Sequence, residues 1–394
     1  MTGTGLETGL DRLLDDVQRL AERSYGLLSH GAAVDRHLQP AHLALARAEG
    51  GAPTRLFGPE HGFYGAEQDM VAAADQVDPW TGVPIVSLYG EAADSLIPAA
   101  EAFDGLDLLV VDLQEVGARY YTYAATAIWA AEVALGQGCE VWVLDRPNPL
   151  GGEIVEGNLL QSGYESFVGA FPLPARHGLT MGELVRLEAK RRDWSDGWHI
   201  VAMNGWRRAD LWPATGRAWI APSPNLPELG AVFLYPGLCL VEATTMSEGR
   251  GTTRPFRLVG SPGLDPVALA DLLTEQQHPG VAFTPAYFRP QFQKHSGREC
   301  GGVQIEVLDP SVVAPYELGV ELMAALREVG GQAFSWRAEP YEFATDRPAI
   351  DLLTGSSDLR LALETGDDFH PWMDGWAADE ERFRAEREAV LLYD

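Results

Sequence analysis

Residues 54–62 read Thr-Arg-Leu-Phe-Gly-Pro-Glu-His-Gly, and the fold turns on this stretch. A short apolar run that breaks at Gly58-Pro59 predicts a buried strand leaving through a tight loop. Proline fixes φ and removes a backbone donor, while glycine admits turn geometry. Glu60 and His61 then stand just past the strand's carboxyl end, where ligands bind in open α/β sheets. The competing reading is local: Glu60 caps the next element and His61 packs against its own loop. Repetition of the pattern along the chain favours the first.

Outward from there, residues 25–28, 85–88, 106–113 and 140–144 are further short β-rich runs. Helical patterns at 34–48, 94–103 and 122–135 separate them. That is βαβ spacing, and a mostly parallel, doubly wound sheet is the economical α/β fold. Each run also ends in polar residues. The first gives Ser29 and His30, the second Glu60 and His61, the third Tyr89 and Glu91. The fourth gives Asp112, Gln114 and Glu115, and the fifth Asp145, Arg146 and Asn148. These residues are expected to converge on one crevice, although Asp112 and Asp145 also suit backbone capping.

At 394 residues, 46% of them hydrophobic, the chain can bury a large core and is expected to divide into two domains. Lys+Arg 29 against Asp+Glu 57 gives a net charge of −28, which argues against nucleic acid or an anionic membrane as partner. An anionic ligand would need a local cluster of arginines. Cys139, Cys239 and Cys300 are odd in number and form no Cys-x-x-Cys pair, so a reducing compartment fits best. No apolar signal region opens the chain and no run reaches a membrane span, so the cytoplasm is expected.

Familiar cofactor loops are missing from the places where they would stand. Residues 28–32 lack the glycine spacing of a dinucleotide site, and no Walker loop, Gly-x-Ser-x-Gly elbow or His-Glu-x-x-His pair occurs. No cofactor is expected. The one metal arrangement that the residue types allow would gather Glu60, His61, Asp112 and His177.

The middle of the chain carries charge on constrained loops. Asp145-Arg146-Pro147-Asn148-Pro149 leads to Glu156-Gly157, and Arg176-His177-Gly178 precedes Thr180 and Glu183, which are spaced as a capping box. Residues 221–225 and 247–254 are two more polar, glycine- and proline-rich loops, the second holding Glu248 and Arg250. In the last third, 265–273, 316–329 and 378–390 have helical periodicity and 303–307 alternates as a strand.

Taken together, LFGPEHG (56–62), VPIVSLYG (83–90), VDLQEVGARYYTY (111–123), VLDRPNPLGG (143–152), PSPNLP (222–227), SEGRGTTRPF (247–256) and CGGVQ (300–304) resemble the NamZ-type exo-β-N-acetylmuramidases over nearly the whole chain. The resemblance implies a Rossmann-like sheet without nucleotide in residues 1–240 and a smaller C-terminal α+β domain in 241–394. It also implies release of a terminal β-1,4-linked N-acetylmuramic acid (MurNAc) from the non-reducing end of peptidoglycan fragments, with Glu60 catalytic. Glycoside cleavage needs one carboxyl group to protonate the leaving oxygen and a second group to supply a nucleophile or activate water. Glu248, Asp112, Glu115 and Glu156 are the candidates for the second group, unless the substrate's own 2-acetamido group serves. Arg119, Arg146 or Arg250 is expected to clasp the lactyl carboxylate of MurNAc. Residues 155–157 and 176–180 belong to the same resemblance, and His30, His61, Gln114, Tyr120, Asp145, Asn148, Glu156, His177 and Asn225 complete the expected substrate contacts.

Overall fold

The computed structural model describes residues 5–394. Seven strands form the main sheet: β1 (Tyr25–Ser29), β2 (Arg55–Gly58), β3 (Gln76–Val77), β4 (Pro84–Ser87), β5 (Leu108–Asp112), β6 (Glu140–Leu144) and β7 (Trp198–Val201). Their order is β3-β4-β2-β1-β5-β6-β7, parallel except for the edge strand β3. The chain winds from β1 to one side and then crosses to β5 on the other, so the sheet is doubly wound with its switch point beside β1. All five residues of β1 and of β5 are buried, because helices cover both faces; such strands are apolar runs without alternation.

The helices that cover it begin with α1 (Gly9–Asp15), α2 (Ala41–Arg47), α3 (Tyr123–Gly136) and α4 (Met181–Arg191). The capping box before α4 is formed: the Thr180 hydroxyl accepts from Glu183 N, and the Glu183 carboxylate accepts from Thr180 N. Two expected helices are shorter than their patterns. The first starts only at Ala41, because Asp35 gathers the His37 and Gln39 amides into a turn and Pro40 opens the helix. The second resolves into two short 3-10 turns, Ala93–Leu96 and Ala100–Phe103, on either side of Pro98.

Beyond the sheet, α5 (Leu229–Leu238) leads to a three-stranded antiparallel sheet ordered β8-β10-β9, made of β8 (Leu258–Ser261), β9 (Val281–Phe288) and β10 (Cys300–Val307). Two helices pack with this sheet, α6 (Pro266–Glu275) and α7 (Pro315–Gly330); α8 (Ala349–Thr354), α9 (Asp358–Thr365), α10 (His370–Asp374) and α11 (Trp376–Arg387) follow. Helices α5 and α7 touch backbone to backbone. A Cβ on Gly319 would lie 2.4 Å from the Gly237 Cα, so only glycine fits that crossing.

One hydrophobic core runs from Val111 of β5 through Leu234 of α5 and Leu322 of α7 to Phe383 of α11. The chain end returns to the first sheet: Arg387 donates to the carbonyls of His177 and Gly178, and the Tyr393 hydroxyl to Asp145. No helix among the described residues is long and apolar enough to cross a membrane.

Candidate active site

The turn after β2 places Glu60. Gly62 N donates to Pro59 O at 3.0 Å, and His61 and Gly62 sit at φ +69° and +74°, a tight reversal in which His61 takes a conformation side chains rarely adopt. His61 is held by its Nδ1, 3.0 Å from Glu67 O. The Glu60 carboxylate is 5% exposed, and among the described residues its one hydrogen bond comes from the Thr122 hydroxyl, 2.7 Å from Oε2. Its other oxygen has no protein partner there.

Glu60 lines a narrow cavity of about 30 Å³ with His61, Tyr120, Tyr341 and Glu342. Asp69, Glu242 and Arg250 are shared by this cavity and an open one of about 480 Å³, whose wall also holds Glu248, Lys294 and Arg337. A pocket of that size suits a small ligand such as a sugar.

Charge in the outer cavity is densely paired. Arg250 lies 3.1 Å from Asp69, 3.0 Å from Glu242 and 3.1 Å from Glu248, with its guanidinium 4.8 Å over the Phe256 ring. Lys294 Nζ is 2.9 Å from Glu248 and also donates to the carbonyls of Val241, Glu242 and Met246. Burial works to raise the pKa of Glu248, but Lys294 and Arg250 outweigh it and hold the carboxyl at about 2. Glu248 is therefore an anion that cannot deliver a proton near neutral pH. Glu242 moves the other way, pushed up by burial although Arg250 opposes the rise. Glu342 is raised well above the usual carboxylate range, first by burial and then by the negative charge of Glu60.

Arg337 differs from the other two cations. Its Nη2 donates weakly to Pro340 O at 3.3 Å, its guanidinium stacks 5.3 Å over Tyr341, and it forms no ion pair among the described residues. Its buried Nε has no partner there.

The other expected site residues lie deeper and are mostly engaged by the fold. Arg146, expected on a substrate carboxylate, grips Asp112 through two nitrogens at 2.5 and 2.8 Å and donates to Val34 O. Asp145 accepts from Arg146 N, Thr180 Oγ1, Gly182 N and the Tyr393 hydroxyl, tying β6 to α4 and the chain end. Burial still pushes its pKa up to about 6. Arg119 donates to the carbonyls of Asn158, Leu173 and Leu353, which is structural bracing in place of the expected ligand contact.

Glu115 accepts from the Val116 and Gly117 amides and lies 3.6 Å from His177, whose Nδ1 accepts from Leu179 N. Glu156 caps α7 by accepting from the Tyr316 and Glu317 amides. Asn148 bridges Leu150 and Leu179, and Gln114 donates to the carbonyls of Glu115 and Pro147. His30 accepts from Gln114 N; burial, with Arg146 and His61 nearby, lowers its pKa to about 3, so it is a neutral acceptor. Asn225 donates to Gln68, and the Tyr120 hydroxyl is buried without a partner on the inner cavity. The residues considered as metal ligands are not gathered: among the described residues no three His, Cys, Asp or Glu side chains form such a group, and Asp112 is held by Arg146.

Sequence reasoning did not single out Glu242, Lys294, Arg337 or Glu342. For Glu342 a signal was present. Pro340-Tyr341-Glu342-Phe343 repeats the grammar of Pro59-Glu60-His61, a carboxylate set beside rings just after a proline.

A doubly wound sheet with carboxyl groups beyond its strand ends and a polar cavity beside them suits glycoside hydrolysis, which needs two such groups. The chain belongs to the exo-beta-N-acetylmuramidase NamZ family: the family's N-terminal model matches residues 25–230 and its C-terminal model residues 233–393. It is 35% identical over 389 residues, 98% of this chain and 91% of the relative, to the peptidoglycan beta-N-acetylmuramidase NamZ of Bacillus subtilis (strain 168). Two crystal structures of DUF1343 family proteins from Bacteroides fragilis NCTC 9343 share the fold. The first has a TM-score of 0.88 at 31% identity and covers 99% of this chain and 100% of its own. The second has a TM-score of 0.74 at 26% identity and covers 99% of each chain.

Proposed function

We propose that this protein releases terminal β-1,4-linked MurNAc from the non-reducing end of peptidoglycan fragments, with Glu60 as a catalytic carboxyl group. One observation carries the reading: Glu60 is buried, fixed by Thr122 on one oxygen, and open to the cavity with the other. Glu115 and Glu156 also keep one oxygen without a partner among the described residues, but neither lines either cavity, whereas Glu60 does.

MurNAc differs from N-acetylglucosamine (GlcNAc) by its lactyl carboxylate. Arg250 and Lys294 already face acidic partners, so Arg337 is the cation left to take that group. Residues 1–240 would then carry the catalytic sheet and 241–394 the wall that holds Arg337, in a two-domain organisation. Cys139, Cys239 and Cys300 are buried and unpaired, which supports a cytoplasmic enzyme working on imported fragments.

A chromogenic β-MurNAc glycoside assayed beside its β-GlcNAc counterpart tests the function. Loss of a charge-assisted contact costs about 1.5–3 kcal/mol, so MurNAc is expected to be preferred by about tenfold or more. Equal rates on the two glycosides would overturn the substrate assignment, and no hydrolysis of either would leave a sugar-binding protein in place of an enzyme.

A further inference from the structure

We propose that Glu342, on the turn 341–344 that the C-terminal region lays against the loop after β2, is the second catalytic carboxyl group and gives its proton to the glycosidic oxygen. The proposal rests on the glycosidase reading above and assigns the role that Glu248, Asp112, Glu115 and Glu156 do not fill.

Position comes first. Glu342 lines the same narrow cavity as Glu60, although 282 residues of chain separate them. It is 7% exposed; its Oε2 accepts from the Tyr89 hydroxyl at 2.8 Å, and its other oxygen has no partner among the described residues. The backbone that presents it is unusual. Glu342 and Phe343 lie at φ +45° and +66°, two successive non-glycine residues in the left-handed region. Such a pair persists only where the surroundings dictate it. Here Tyr341 and Ala344 close the turn by two backbone hydrogen bonds, the Tyr341 hydroxyl donates to Glu242 at 2.9 Å, and the Phe343 ring lies 5.5 Å from that of Tyr89.

Electrostatics then decides which carboxyl group holds a proton. Two carboxylates facing one dry cavity do not both ionise freely. Burial and the charge of Glu60 both work against ionising Glu342, with the Tyr89 hydroxyl opposing them only in part. The charged groups facing Glu342 are Glu60, Asp69, Glu242 and Arg250, three acids against one base. The remaining titratable groups on this cavity are Tyr120, Tyr121, Tyr235, Tyr341 and His61, with Tyr89 bonded to Glu342 itself. A carboxyl group whose surroundings hold its proton is fitted to act as the acid beside a second carboxyl group.

The step balances. As the C1–O bond breaks, its electron pair goes to the glycosidic oxygen, which takes the Glu342 proton and leaves as the alcohol of the neighbouring sugar. Water supplies the new oxygen at C1 and sheds a proton to the carboxylate pair, so one water is consumed and the pair ends as it began. Glu60, on the same cavity, is the group left to face C1.

The test uses Glu342→Gln with two substrates, the MurNAc-β-1,4-GlcNAc disaccharide and 4-nitrophenyl β-MurNAc. A nitrophenolate leaves without protonation, so kcat on the disaccharide is expected to fall on the order of 100-fold while the nitrophenyl glycoside stays within about tenfold. Glu60→Gln, measured alongside, is expected to lose both substrates. Equal loss on both in Glu342→Gln, or a near-normal disaccharide rate, would overturn the assignment. A wild-type protein inactive on both substrates would instead sink the glycosidase reading, and the assignment with it.

Should Glu342→Gln fail to fold, Tyr89→Phe answers the same question through the pH profile. Tyr89 donates to the ionised form of Glu342, so removing its hydroxyl is expected to move the alkaline limb of kcat/KM on the disaccharide to higher pH. A limb that stays in place contradicts the proposal.

Discussion

The carboxyl ends of β2 and of β5 and β6 lie along one edge of the same sheet, yet they treat their acidic residues in opposite ways. Asp145 beyond β6 accepts four hydrogen bonds, and Asp112 at the end of β5 is held by two nitrogens of Arg146. Glu60 beyond β2 accepts one. The cause is what covers each end. Behind β6, α4 and the returning chain terminus press donors onto Asp145, and the loop after β6 swings Arg146 onto Asp112, so those acids bind parts of the fold together. Behind β2 the covering turn brings Glu342 and Tyr341, with a cavity between. Position past a strand therefore does not by itself make an acid available; Glu60 differs from Asp112 and Asp145 in having one oxygen unfilled and a cavity in front of it.

Three changes would sharpen or break this contrast. Asp112→Ala leaves the Arg146 guanidinium buried with the Val34 carbonyl as its remaining partner, and is expected to cost about 3–5 kcal/mol of stability. Urea unfolding checks it; a loss below about 1 kcal/mol would mean that the β5 end is not the structural half of the pair. Arg337→Ala is expected to narrow the MurNAc preference by about tenfold while changing GlcNAc turnover little, read as kcat/KM on the two glycosides. An unchanged preference would return carboxylate recognition to Arg250.

The smallest effect belongs to Glu156, which burial raises from 4.5 to about 7. Its stabilising contribution is present in full below about pH 4.5 and is lost as pH rises through about 7, because the folded state must then hold a buried anion. Glu156→Gln still accepts from the α7 amides but cannot ionise. Its melting temperature relative to wild type is expected to rise by a few degrees between about pH 5 and about pH 8. A constant difference would show that Glu156 does not titrate in the fold.

Much of the sheet was legible from the sequence because buried parallel strands have no choice of composition. Residues 25–28, 106–113 and 140–144 fall on β1, β5 and β6, and Thr180 with Glu183 marked the start of α4. The two-residue β3, and β7 with its Trp198 and His199 partly exposed, carry no such pattern. The site was legible in part for a different reason. A strand end can be read locally, so Glu60 stood out. Whether Asp145 or Arg119 is filled depends on donors and carbonyls up to 248 residues away, which no window reveals. Glu342 and Arg337 reach the cavity only because α5 and α7 fold the C-terminal region back onto the loop after β2.

Turnover of the MurNAc-β-1,4-GlcNAc disaccharide by Glu60→Gln, with melting temperature measured on the same sample, bears on the site most directly. Glutamine keeps the size of the side chain and can still accept from Thr122, so the fold is expected to hold within a few degrees while kcat falls on the order of 100-fold or more. A folded Glu60→Gln protein that cleaves the disaccharide at the wild-type rate would contradict the placement of the chemistry at the end of β2.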